Sequence, residues 1–239
     1  MNARDSLCVA LDSSDYAWIR SAATALADHI GWVKVGLEAF SAHGPALVEE
    51  LAGIGPRVFL DLKLHDIPAT VRRAAANCAA CGASMLTVHA AGGRRMLEAA
   101  VEGTRQGAKQ SPPKIVAVTV LTSLDRAALS ELKIDNTPAD LVGAWAALAA
   151  ESGLDGIVAS AREAAALRQE FGRDFLIVTP GIRPASSATD DQRRVATPAE
   201  AIQAGADVLV VGRPITGADD LVEAAKRIVG EMAAAGSTD

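Results

Sequence analysis

The chain has 239 residues, of which 50% are hydrophobic, 22% charged and only 3% aromatic, with a formal net charge of −6. The apolar share is too high and the charge too mixed for a disordered chain, and a chain of this length buries a sizeable core without disulfides or structural metals. The negative balance argues against a general nucleic-acid or anionic-membrane binder, and so few rings offer little stacking surface for single strands.

The N-terminus, MNARDSLCVALD, lacks the long apolar core of a signal peptide. No uninterrupted apolar run of membrane-spanning length follows, so a soluble cytoplasmic protein is expected. Candidate strands lie at 7–11, 32–37, 58–62, 85–89, 115–121, 156–159, 175–178 and 208–211. Each is short, aliphatic or β-branched, and bounded by Gly, Asp, Pro or Ser. Segments of helical length lie between them, among them 68–81, 94–106, 138–151 and 161–171, and 122–137 is expected to carry a small extra helix. Cys78 and Cys81 form a CxxC inside an Ala-rich helical pattern. With an odd total of three cysteines and no second CxxC, they read as small buried residues rather than a redox or metal pair.

Near-continuous apolar strands are expected where a parallel sheet is covered on both faces. About eight βα units in about 240 residues match the size of a (β/α)8 TIM barrel. The rival, a doubly wound open sheet, needs a Gly-rich dinucleotide turn after the first strand, and ALDSSD offers none. No linker or low-complexity tract divides the chain, so a single barrel domain over 1–239 is expected. The stretch 180–195 is too long for an ordinary βα connection.

In such barrels the chemistry sits at the C-terminal ends of the strands. Those ends read Asp12, Lys34, Asp61 with Lys63, His89, Thr122, Ser160, Pro180 and Arg213. In WVKVGLE, Lys34 stands mid-strand with Val33 and Val35 on the opposite face, so it points into the barrel mouth. In FLDLKLHDIPAT, alternation puts Asp61 and Lys63 on one face and Leu60, Leu62 and Leu64 on the other. Asp66 precedes Ile67-Pro68, where it reads as the N-cap of a helix. Together Lys34, Asp61, Lys63 and Asp66 make an alternating array in which each ion favours the charged form of its neighbour.

Two later segments resemble an anion site. In GADVLVVGRPIT the last strand ends at Gly212-Arg213, where a backbone N–H and a planar guanidinium suit a phosphate. In TPGIRPASSATDDQRR, Arg183 and Gln192 sit in a loop with the length and polarity of a lid, and Arg193 and Arg194 read as solvated. His65 is expected beside the site and His89 in a structural role. No metal-ligand spacing, nucleophile elbow or P-loop is present in the sequence.

The segments VALD, VKVGLEAF, DLKLHDIPAT, VHAAGG, VTVLTS, TPGIRP, DDQRR and VVGRPIT, in that order, resemble the orotidine 5′-phosphate decarboxylase family, in its bacterial branch. The resemblance covers nearly the whole chain; one departure is Asp190, where the family's pattern has Gly. It implies conversion of orotidine 5′-monophosphate to UMP and CO2 in pyrimidine biosynthesis, with no cofactor or metal. It implies that Lys63 protonates C6, that Asp61 and Asp66 flank the substrate carboxylate, and that Lys34 completes the array and contacts the ribose. It further implies that Asp12 binds ribose, that Thr122 reads the pyrimidine edge, and that Arg183, Gln192, Gly212 and Arg213 hold or cover the phosphate. Pro180 is expected to line the substrate pocket. The family's homodimer implies that Asp66, Ile67 and Thr70 complete the neighbouring subunit's site. A magnesium-dependent sugar-phosphate decarboxylase, with Glu38 as an added ligand, and a non-catalytic phosphate-binding barrel are the alternatives.

Overall fold

The computed structural model describes residues 2–184 and 196–236. Eight strands follow in order: β1 (Leu7–Ala10), β2 (Trp32–Gly36), β3 (Arg57–Leu64), β4 (Met85–His89), β5 (Lys114–Val118), β6 (Gly156–Val158), β7 (Leu176–Thr179) and β8 (Val208–Val211). Each pairs in parallel with the next, and β8 returns to β1, so the sheet closes on itself with helices between the strands. This is the (β/α)8 barrel expected from the pattern.

Alternation along the strands divides the apolar residues into two sets. Cys8, Ala10, Trp32, Phe59, Met85, Val116, Val178, Val208 and Val210 point inward and fill the barrel. Their neighbours, such as Val9, Val33, Val35, Leu60, Leu86 and Val211, point outward and form the larger core under the helices. A strand buried on both sides has no place for a charge except at its mouth end, which is why a lysine or aspartate there stands out.

The strand ends differ from the sequence pattern in two informative places. β5 stops at Val118 rather than reaching residue 121, because its partner β6 ends at Val158, directly opposite. The Thr119 hydroxyl then donates to the Val158 carbonyl at 3.0 Å. β3 runs on to Leu64 through a shift of register against β4 between Leu60 and Leu64. The extra helix expected within 122–137 is Arg126–Glu131, capped by the Asp125 carboxylate, which accepts from the Ala128 N–H.

The end of the barrel away from the mouth is tied by two aspartates. Asp155 accepts from the Ile115 N–H at 2.8 Å and from Lys114 Nζ at 2.7 Å. Asp207 accepts from the Ile177 N–H at 2.8 Å and pairs with Arg168. Each satisfies an orphan N–H at the start of a neighbouring strand. The helices after β3 and β4, Pro68–Ala80 and Arg94–Gly107, pack at very close range. A Cβ at Gly103 or Gly107 would overlap the carbonyl oxygens of Arg72 and Ala76. This contact braces β3, which carries Asp61 and Lys63, against β4. Cys78 and Cys81 are free and buried in that layer, and burial pushes the Cys78 thiol up to about 12. Among the described residues, no helix is long and apolar enough to cross a membrane.

Candidate active site

Register decides which charges meet. β2 carries Trp32, Lys34 and Gly36 on its inner face, and β3 carries Phe59 and Asp61; Lys34 lies opposite Ala10 on one side and Phe59 on the other. Trp32 and Phe59 form the packed floor, and Lys34 and Asp61 stand one layer above it. Both are almost enclosed, with 8% and 9% of their surface exposed. An ion so placed is tolerated only when paired.

The pairing is a chain of four groups. Lys34 Nζ donates to Asp12 Oδ1 at 2.8 Å and lies 3.6 Å from Asp61 Oδ2. Lys63 Nζ donates to the same Asp61 oxygen at 2.8 Å. Burial alone would push the Asp61 carboxyl up, but the Lys34 and Lys63 ammoniums, with hydrogen bonds from Lys63 and Thr87, outweigh it and hold the carboxyl below its ordinary value. For Lys34, burial pulls the pKa down, and the Asp12 and Asp61 carboxylates more than reverse this. At neutral pH Lys34 and Asp61 are therefore both charged, and one Asp61 oxygen is shared by the Lys34 and Lys63 side chains.

Two residues that sequence reasoning missed shape this array. Thr87, on the inner face of β4, is wholly buried. Its hydroxyl donates to Asp61 Oδ1 at 3.0 Å and accepts from the Lys63 N–H at 2.8 Å. Lys63 has φ of 51°, a left-handed conformation that costs a non-glycine residue about 1–3 kcal/mol. It falls where the β3–β4 ladder shifts register, so the threonine hydroxyl takes over the ladder's role for that N–H. Gly36 is the second. A Cβ there would stand 2.8 Å from Asp12 Oδ1 and 2.9 Å from Lys34 Nζ. Thr87 reads in sequence as an ordinary β-branched strand residue and Gly36 as a strand-end glycine, so neither gave a signal in a single sequence.

A cavity of about 180 Å³ opens over the array. Lys34, Asp61 and Lys63 line one side, and Thr122, Pro180 and Ala159 line the other. Gly212 follows β8 on the rim beside Ala10, and exposed Arg213 starts a short helix ending at Thr216. Arg183 lies at the foot of the loop after β7: its N–H donates to the Ala196 carbonyl at 3.0 Å, which joins the two ends of that loop. Gln192, with Arg193 and Arg194, lies outside the described residues.

Asp66 departs from its expected place. The N-cap of Pro68–Ala80 is Ile67, and Asp66 stands one residue earlier, where its carboxylate accepts from the Ile67 N–H at 2.6 Å. The extended conformation required before Pro68 falls on Ile67 and shifts the cap by one. Within one chain the array is thus Asp12–Lys34–Asp61–Lys63. Asp66 and Ile67 are exposed on the mouth side, Ile67 by 67%, with Thr70 half-buried one turn into the helix. His89 is half-buried, with its ring 5.4 Å from that of exposed His65. Burial pulls the pKa of His89 down, and His65 and Lys63 reinforce this, so it is neutral near pH 7. Ser160 closes a capping box with Glu163 at the start of Ala161–Phe171. Glu38 is exposed and accepts from the Ser14 hydroxyl at 3.1 Å, and among the described residues no cluster of three His, Cys, Asp or Glu side chains could hold a metal ion.

A (β/α)8 barrel with alternating carboxylates and ammoniums at the strand ends defines a class of barrel enzyme that acts through placed charge. The chain belongs to the orotidine 5′-phosphate decarboxylase / HUMPS family, whose model matches residues 5–228. It is 52% identical over 236 residues to a protein of Moorella thermoacetica named orotidine 5′-phosphate decarboxylase, covering 97% of this chain and 94% of that one. A protein of the same name from Anaeromyxobacter sp. (strain K) is 51% identical over 228 residues, covering 95% and 98%. The crystal structure of orotidine 5′-phosphate decarboxylase from Lactobacillus acidophilus superposes with a TM-score of 0.85 at 39% identity, covering 95% of this chain and 98% of that one.

Proposed function

We propose that this chain converts orotidine 5′-monophosphate to UMP and CO2 in pyrimidine biosynthesis, and that Lys63 delivers the proton to C6. The observation that carries this reading is the Lys34–Asp61–Lys63 array facing a cavity at the barrel mouth. Family membership and the names of relatives about half identical over nearly the full length support it.

The chemistry explains why such an array is useful. The bond from C6 to the carboxylate breaks with its electron pair left on C6, in an orbital outside the ring's π system. No enolate or imine sink is in direct conjugation, so the charge must be met electrostatically. The Lys63 ammonium sits where it can stabilise the pair and then transfer a proton to it, leaving a neutral amine that water reprotonates. Asp61 keeps Lys34 charged, accepts a hydrogen bond from Lys63 and stands beside the departing carboxylate. A site built in advance for the carbanion binds it better than the substrate carboxylate, and that difference is the catalysis.

The remaining roles are proposed on the same footing. Asp12 and Lys34 hold the ribose, Thr122 and Pro180 meet the pyrimidine, and Arg183, the Gly212 N–H and Arg213 take the phosphate. Gln192 is expected with them. Contacts to phosphate and ribose lie far from C6, so their binding energy can position the ring. A second copy of the chain supplies Asp66, Ile67 and Thr70 to complete each site. The exposure of Ile67 by 67% and Leu37 by 57% on the mouth side supports such a homodimer. An absorbance assay with orotidine 5′-monophosphate in the presence of EDTA tests the function. Loss of the orotate absorbance is expected. Binding without that loss, or a requirement for added divalent metal, would overturn it.

A further inference from the structure

The β3–β4 seam holds an arrangement that packing alone does not require. Thr87 points into the barrel between Met85 and His89, next to the apolar side chains that fill the barrel below. A valine would fit the same space. The threonine instead spends its single hydroxyl on two site groups at once, donating to Asp61 Oδ1 and accepting from the Lys63 N–H. Neither neighbour has an equivalent substitute. The Lys63 N–H lies at the break in the ladder, where β4 offers no aligned carbonyl. Asp61 Oδ2 is already taken by the two ammoniums, so Oδ1 and the hydroxyl set the rotation of the carboxylate.

We propose that Thr87 is a positioning residue for the reaction: its hydroxyl locks the left-handed turn at Lys63 to the Asp61 carboxylate, so that the ammonium and the carboxylate are presented to the substrate as one rigid unit. This rests on the decarboxylase reading of the array. The physical reasoning has two parts. A left-handed lysine persists only where its surroundings over-determine it, and the bond to its N–H is the contact that does so. A carboxylate with one oxygen fixed by a neutral donor cannot rotate to offer both oxygens to cations, so Oδ2 remains the shared acceptor. Loss of the hydroxyl frees both groups together. It also strands a buried N–H and removes one donor from a buried carboxylate.

A pH signature follows, and every charged or titratable neighbour of Asp61 enters it. Lys34 from β2, Cys8 on β1, Lys63 on β3 and His89 on β4 face this carboxylate, and Asp12 after β1 acts on it through Lys34. None of these side chains is replaced by a change at residue 87, and of them only Lys63, whose backbone N–H Thr87 holds, loses a hydrogen bond. Because the Thr87 hydrogen bond favours the ionised form of Asp61, its removal moves the titration of that carboxyl upward, and the acid limb of turnover moves to higher pH with it.

The test compares Thr87→Val, Thr87→Ala and Thr87→Ser in the full-length protein, with folding checked by circular dichroism. For Val and Ala, kcat is expected to fall about 10- to 100-fold, the usual size of a hydrogen bond to a charged group. KM is expected to change by less than about threefold, because the hydroxyl does not touch phosphate or ribose. Ser keeps the hydroxyl and restores kcat and the acid limb. Wild-type kcat in Val or Ala, or a Ser variant as impaired as Ala, overturns the proposal by showing that only packing matters. If the Val variant fails to fold, the Ala–Ser pair makes the same discrimination. The 13C titration of the Asp61 carboxyl, followed by NMR without substrate, separates this claim from the functional reading. If the wild type fails to decarboxylate orotidine 5′-monophosphate, the function falls. An upward shift of the carboxyl in Ala but not Ser still sustains the coupling, and no shift ends it.

Discussion

Gly36→Ala tests whether the array's spacing matters more than its strength. The backbone there, φ −92° and ψ −174°, is extended and suits alanine. The added Cβ, however, would stand 2.8 Å from Asp12 Oδ1 and 2.9 Å from Lys34 Nζ. Ordinary contact begins near 3.5 Å, so each group must retreat by about 0.6 Å. In the unliganded protein this costs only about 1 kcal/mol, because the 52% exposed Asp12 side chain gives way most easily while the enclosed Lys34 stays paired with Asp61. For a chain of this size that is a fall in Tm of about 2–4 °C at most. Turnover should suffer far more, since a misplacement of about 1 Å at a catalytic group can cost about 100-fold. We expect kcat/KM for orotidine 5′-monophosphate to fall about 10- to 100-fold at nearly unchanged Tm. Initial rates by absorbance, paired with thermal melts by circular dichroism, give both numbers. A variant with wild-type kcat/KM would refute the reasoning, as would a loss explained by a collapse in Tm.

Arg213→Ala should raise KM strongly and leave kcat within a few-fold of wild type at saturation, as initial rates over a substrate series would show. Lys63→Ala and Asp66→Ala should each be inactive alone. When they are mixed and allowed to exchange subunits, about a quarter of wild-type activity should return, because half the dimers are hybrids with one intact site. No recovery on mixing, with exchange verified, would argue against shared sites. The array also predicts how stability depends on pH. The Asp61 carboxyl lies below its ordinary value of 3.8, so its contribution is fully present above that pH and is lost as pH falls through the lower folded value. Lys34 lies above 10.5, so its contribution is present below that pH and is lost as pH rises through the higher folded value. Melts across the pH range should therefore show an alkaline loss above 10.5 that is reduced in Lys34→Met.

The barrel was legible because parallel strands covered on both faces must be continuous apolar runs, and eight of them recur with segments of helical length between. Lys34 and Asp61 were legible for the same reason: a charge in such a run can only face the mouth. What periodicity could not reveal was geometry between strands. DLKL reads as clean alternation, yet Lys63 turns left-handed at a shift of register. Thr87 looks like a strand former until β4 is set beside β3, and only then does its hydroxyl meet Asp61 and Lys63. Gly36 acquires meaning only when Asp12 arrives from the loop after β1. Asp66 was misjudged by one residue as a cap because the conformational demand of Pro68 falls on Ile67.

The central claim is that Lys63 meets the charge left on C6 and protonates it. Single-turnover decarboxylation of orotidine 5′-monophosphate, in EDTA, by the wild type and by a folded, nucleotide-binding Lys63→Ala variant tests it most directly. The account predicts that the wild type releases CO2 and that the variant is slower by roughly 1000-fold or more. A Lys63→Ala protein that decarboxylates at near the wild-type rate would contradict it.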